Sequence, residues 1–210
     1  MATCVEITKP PGTGWVELPV RTYRRGVAST VRGTDPELVD WSVEAARELA
    51  GPDPDPDLVA DYAEQLAKRT VLSRERGEIA QLVWFPEPGG PPAAEIHATW
   101  LIHRGSGKPK GGGNPLVTLD RLEEMAGKPR ESTAELEVSR VELGCGPAIR
   151  TRQVEVFGET TGDAIVQIEF QIPWSRLKNA LIMNMFWVLA DDDPALVKIA
   201  DNTAETLRIG

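Results

Sequence analysis

The chain has 210 residues, a formal net charge of -9 and two cysteines, Cys4 and Cys145. A chain this long buries roughly 70% of the surface its unfolded form exposes, so one substantial core forms without a disulfide framework. The acidic balance excludes a general nucleic-acid surface, where Lys and Arg supply most of the affinity, and the sparse cysteines point to a reducing cytoplasm.

Residues 1–35 are rich in Gly, Pro and Arg, with extended segments expected at Gly14 to Leu18 and Val27 to Val31. They read as an arm or edge hairpin ahead of a single domain spanning 36–210. Met1 to Pro10 carries no basic segment followed by an apolar stretch, so no export signal is expected. A first helix is announced by Thr34 or Asp35 as cap and Pro36 at its first position, and Gly51 with Pro52 ends it. The alternating prolines of G-P-D-P-D-P-D lack the amide donor that helix and central strand require, which makes a stiff connector. Asp57 then caps a second helix with Leu58, Tyr62, Gln65, Leu66 and Arg69 on one side.

After Gly77 the apolar period falls from 3.6 to 2, and Glu78 to Phe85 with Ala93 to His103 predicts a hairpin. The Gly- and Lys-rich stretch Arg104 to Pro115 reads as a loop, and Leu116 to Ala126 as a short helix closed by Gly127. Strands follow at Ala134 to Leu143, Pro147 to Phe157 and Asp163 to Ile172. The ten-residue apolar run Ala180 to Leu189 is too short to cross a bilayer and reads as a strand buried on both faces. A final helix carries the stripe Leu196, Val197, Ile199, Ala200, Thr203, Ala204 and Leu207. Strands joined by short turns predict an antiparallel meander, so the fold class is α+β, an antiparallel sheet flanked by helices.

The chemistry-bearing residues form no coherent reactive set. The glycine loop Gly105-Ser106-Gly107-Lys108 has Ile102 and Pro109 where a P-loop needs glycine and Ser or Thr. His97 and His103 share one strand face but stand about 20 Å apart along it, too far for one metal. Both read as ordinary polar positions, with Ile96, Ala98, Trp100 and Ile102 facing the core. Cys145, in the turn L-G-C-G-P, has no evident basic neighbour or helix N-terminus to lower its pKa. Arg21, Arg24, Arg25 and Arg32 crowd one region, while acids gather at Asp53 to Asp61 and at Asp191 to Asp193. Of the six tryptophans, Trp84, Trp100 and Trp187 fall in core strands, whereas Trp15, Trp41 and Trp174 lie near element ends, where an indole is left half exposed. Trp174, followed by Ser175 and Arg176, is the best interaction anchor, since Trp and Arg are enriched at binding hot spots.

The order I-V-Q-I-E-F-Q-I-P-W, then A-L-I-M-N-M-F-W-V-L, then D-P-A-L-V-K-I-A-D-N-T-A-E-T-L-R-I resembles the PsbP-like family over Val138 to Ile209. The resemblance implies an α-β-α sandwich, the close seen in actinobacterial members, and binding or accessory roles with no active-site residues to carry over. The expectation is a non-enzymatic cytoplasmic protein that binds another protein or itself, without cofactor or metal, nucleic acid or membrane. Trp174, Arg176, Trp15, Arg24 and Arg25 are the expected contact residues. The alternative is a small-molecule or enzymatic sandwich with a pocket between sheet and helices, lined by residues such as His97, Arg150 or Arg152.

Overall fold

Proline and aspartate fix where the first two helices begin, and the structure follows the sequence closely there. The computed structural model describes residues 5–20, 35–101, 117–129, 132–157, 163–174, 179–189 and 193–210. In chain order the elements are β1 (Val5–Glu6), β2 (Trp15–Glu17), α1 (Pro36–Ala50), α2 (Pro56–Arg76), β3 (Glu78–Trp84), β4 (Ala94–Leu101), α3 (Leu119–Ala126), β5 (Thr133–Leu143), β6 (Gly146–Phe157), β7 (Asp163–Trp174), β8 (Asn179–Val188), α4 (Asp193–Glu205) and β9 (Arg208–Ile209). The fold is α+β, and β1–β9, β2–β3, β5–β6, β6–β7 and β7–β8 pair antiparallel. The chain divides into two compact units, Pro11–His97 and Met1–Pro10 with Ala98–Gly210. The expected strand at Val27 to Val31 lies outside the described residues.

In the Pro11–His97 unit, Pro56 takes the first position of α2, which places its cap two residues earlier than the expected Asp57. Asp55 accepts from the Asp57 amide at 2.9 Å. Asp35 occupies the cap position of α1 but makes no side-chain cap. Its carboxylate instead accepts from Arg74 Nη1 at 3.3 Å, while the same guanidinium donates to the Pro19 carbonyl at 2.8 and 3.2 Å. Gly77 ends α2 in the left-handed conformation, φ 73°, which glycine enters without a Cβ penalty. The core gathers Leu18, Val20, Ala46, Tyr62, Leu66, Val83 and Phe85, with Tyr62 edge-on to Phe85 at 5.3 Å. β2 joins β3 through a close approach that only glycine permits, because a Cβ on Gly14 would fall 1.9 Å from the Phe85 carbonyl oxygen.

In the other unit, strands order β8-β7-β6-β5. The apolar run is β8, as expected. Its odd residues Leu181, Met183, Met185 and Trp187 are buried on one face, together with Val166, Ile168, Phe170 and Ile172 of β7. That face is held to α4: Arg150 donates to Asp201 at 2.7 Å, Arg152 to Asp193 at 3.3 Å, and the Trp187 indole N–H to Asp193 at 3.0 Å. On the opposite face Leu122 of α3 packs with Ile149, Ala180 and Ile182. The result is a helix-sheet-helix sandwich. α3 is eight residues long and β6 and β7 are twelve each, so a rod of about 12 Å lies on strands of about 40 Å and covers only part of their length. β1 pairs with β9, Val5 opposite Ile209. Among the described residues, no helix is long and apolar enough to cross a membrane.

Candidate functional site

Among the polar places in the described structure, three bear on the expected site residues or hold unpaired buried groups. The first lies wholly within the Pro11–His97 unit and sequence periodicity missed it. His97 is 6% exposed, not a half-exposed strand position, because β4 buries residues of both parities, Ile96 and Ala98 included. Its Nδ1 stands 2.7 Å from Glu78 Oε2 and its Nε2 3.0 Å from Glu95 Oε2. Carboxylate oxygens only accept, so both contacts are satisfied when each ring nitrogen carries hydrogen, the imidazolium form. Burial alone pulls the His97 pKa down; the hydrogen bonds and negative charges of Glu78 and Glu95 outweigh it and raise the pKa. Burial likewise pushes Glu95 up, and the bonds and charges of His97 and Arg69 bring it below the usual carboxylate range.

The rest of the cluster comes from α2 and β3. Arg69 and Ser73 are four residues apart, hence on one helix stripe. Arg69 pairs with Glu95, Ser73 donates to Gln81 Oε1, and Gln81 Nε2 donates to Glu95 at 3.0 Å. Two cations face two anions, and the described polar contacts run from one member to another. Ser73, a hydroxyl among these residues, is already held by Gln81. Among the described residues, no group of three His, Cys, Asp or Glu side chains is arranged to hold a metal.

The second candidate surrounds Trp174 at the end of β7. A groove of about 380 Å³ is lined there by Glu6, Gly144, Cys145, Trp174, Arg208 and Ile209. The Trp174 indole nitrogen is inaccessible and has no hydrogen-bond partner among the described residues. Arg208 is the basic neighbour of Cys145 that the sequence did not reveal. Burial nonetheless raises the thiol pKa, with Arg208 only partly offsetting it, which leaves the thiolate scarce at neutral pH.

The third candidate is the part of the sheet that α3 leaves uncovered. A cleft of about 140 Å³ opens between Met125, Ala126 and Lys128 and the side chains of Thr151, Gln153, Gln167, Glu169 and Gln171. Gln171 is 9% exposed, yet its carbonyl oxygen has no partner among the described residues, and neither has that of Asn184.

Of the expected contact residues, Trp174 lines a groove, but Trp15 does not stand half exposed: it is 2% exposed and stacks on Trp84 at 6.0 Å. The antiparallel pairing of β2 with β3 brings the two rings together in register, Trp15 opposite Trp84, and burying an aromatic pair is more favourable than exposing one. Arg24, Arg25 and Arg176 lie outside the described residues, as do His103 and the Gly105 to Lys108 loop. Arg150 and Arg152 bind the acids of α4.

The class of structure is thus an α+β chain whose larger unit is a helix-sheet-helix sandwich. No family model matches the chain, and no curated protein matches it. It is similar in structure to LpqN of Mycobacterium tuberculosis, a protein involved in cell envelope biogenesis, at 12% identity and a TM-score of 0.46 over 99% of this chain and 84% of that one.

Proposed function

We propose that this is a non-enzymatic accessory protein with a PsbP-like sandwich, acting in the cytoplasm by binding another protein through the groove around Trp174. The observation that carries the reading is the indole N–H of Trp174, withdrawn from water without an acceptor among the described residues. Such a donor costs about 1–3 kcal/mol while it stays unpaired, and an inserted main-chain carbonyl removes that cost on association. The groove walls suit an extended peptide: Ile209 is apolar, and Arg208 and Glu6 offer one charge of each sign. The buried network around His97 supports a non-catalytic reading, since its charges are matched by one another and not presented to a substrate.

The test is Trp174→Phe, which keeps an aromatic ring and deletes the N–H. Capture of native partners from cytoplasmic extract, quantified by mass spectrometry, should fall at least about tenfold for a lost buried hydrogen bond with its packing, with Tm unchanged or higher. Equal capture by both proteins overturns the proposal. A matching fall in Tm assigns the ring to the core.

A further inference from the structure

The outer edge of the β5–β8 layer is a second kind of surface, independent of the Trp174 groove. β5 ends the strand order β8-β7-β6-β5 and runs for eleven residues, T-A-E-L-E-V-S-R-V-E-L, without proline or glycine. Which of its main-chain groups point outward follows from Pro147, which stands opposite Glu142 and has no amide hydrogen. Glu142 and Pro147 therefore exchange no bonds, and the hydrogen-bonded pairs are Leu143 with Gly146, Val141 with Ala148, Ser139 with Arg150 and Glu137 with Arg152. The residues between them, Leu136, Val138, Arg140 and Glu142, turn both N–H and C=O away from β6. No described residue pairs with that row. Natural edges are commonly blunted by proline, by a bulge or by lysine. From Leu136 to Leu143 β5 has none of these, and its one register shift lies earlier, between Thr133 and Glu135.

We propose that this edge receives an extended segment of another protein as an added strand, one that alternates basic and apolar side chains. Main-chain bonds to the four outward residues supply affinity, and the side chains laid beside those of β5 supply selectivity. On the α4 face β5 presents Glu135 and Glu137, both exposed. With Asp193 they outnumber the one base they share, Arg152. Lys or Arg set across from these glutamates forms the favourable cross-strand pair. On the α3 face Leu136 and Val138 are half-buried, Val138 against the cluster of Leu122 and Ile149, and apolar side chains across from them extend that packing. Arg140, on the same face, is already held by Asp120 and Glu123. A second copy of this chain suits the edge less well. Two β5 strands paired antiparallel about Val138 would set Glu137 opposite Ser139 and Glu135 opposite Val141, which makes no ion pair, and would join two chains of charge -9 each.

The test titrates the whole protein with a blocked eight-residue peptide of alternating Lys and Val, followed by calorimetry and by amide hydrogen exchange read by NMR. Two controls accompany it: the same peptide N-methylated at every valine, which keeps the charge but loses the donors aimed at β5, and a peptide of alternating Glu and Val. The lysine peptide should bind and slow exchange at Leu136, Val138, Arg140 and Glu142, while both controls bind at least about tenfold more weakly. Absence of binding by the lysine peptide overturns the proposal. So does equal binding of the N-methylated form, which would mean that charge alone attracts it, and so does binding that leaves those four amides unprotected. Protection of the same amides without peptide, rising with protein concentration, would give the edge to a second copy and overturn the proposal too. Glu137→Lys, at an exposed position, should weaken the lysine peptide at least about threefold and strengthen the glutamate peptide, as reversal of one cross-strand charge implies. Unaltered affinities in that variant count against the assignment. Should the variant fail to fold, the exchange pattern of the unsubstituted protein decides alone.

Discussion

Two buried polar clusters stand in this molecule, one in each unit, and they are finished differently. Around His97 cations and anions match and the described donors meet acceptors inside the cluster. Around Gln171 the amide oxygens of Gln171 and Asn184 have no donor among the described residues. A closed network stabilises its surroundings; an acceptor without a donor leaves its desolvation cost standing. Burial of polar residues therefore does not by itself show what they contribute, whereas the match between donors and acceptors does.

The most disruptive way to break the comparison is to remove the hub of the closed cluster. Glu95→Ala strands Arg69, Gln81 and His97 together and should cost about 3–5 kcal/mol, read as a fall in the urea midpoint. A loss under about 1 kcal/mol would show that the network contributes little, the level of a surface pair. The same substitution made at two glutamines sharpens the contrast. Gln81→Leu, at 2% exposure with Ser73 and Glu95 as partners, should destabilise by about 1–3 kcal/mol, while Gln171→Leu should cost less, because along with its bond to Glu169 it deletes an acceptor that has no donor among the described residues.

Titration gives a gentler probe. His97 has a raised pKa in the folded state, so its contribution is complete below the ordinary histidine value of about 6.5 and disappears as pH climbs through the higher folded value. Tm should decline over that range in the unsubstituted protein, and His97→Gln should flatten the decline; a slope identical in both would assign it elsewhere. Glu95, lowered when folded, works in the other direction. Its share is present above the ordinary glutamate value and is lost as pH drops through the folded one.

Much of the architecture was legible in the residues. Pro36 and Gly77 mark helix ends, whereas Pro56, read as part of the connector, opens α2; the four long strands fall within two residues of their expected limits, because strong periodicity and turn chemistry agree there. β1 and β9 were not legible, since two-residue strands have no period to detect. His97 was misread because alternation assumes one wet face, and α2 covers the face on which Glu95 and His97 lie. A clue was present: Arg69 and Ser73 share a helix stripe with Leu66, which placed charge on a packed side. The open acceptors around Gln171 had no such clue. Strand polarity shows which face is polar, but not how short a helix will be laid across it.

The pairing of Val5 with Ile209 has a consequence for synthesis. The unit Pro11–His97 is continuous in sequence and leaves the ribosome complete while most of its neighbour is still untranslated. The other holds Val5 and Glu6 upstream of it and cannot close the β1–β9 ribbon until Arg208 and Ile209 emerge. Nascent chains arrested after residue 97 should accordingly resist protease over the first unit while Val5 to Pro10 stays open to cleavage, since segments fold as units during elongation.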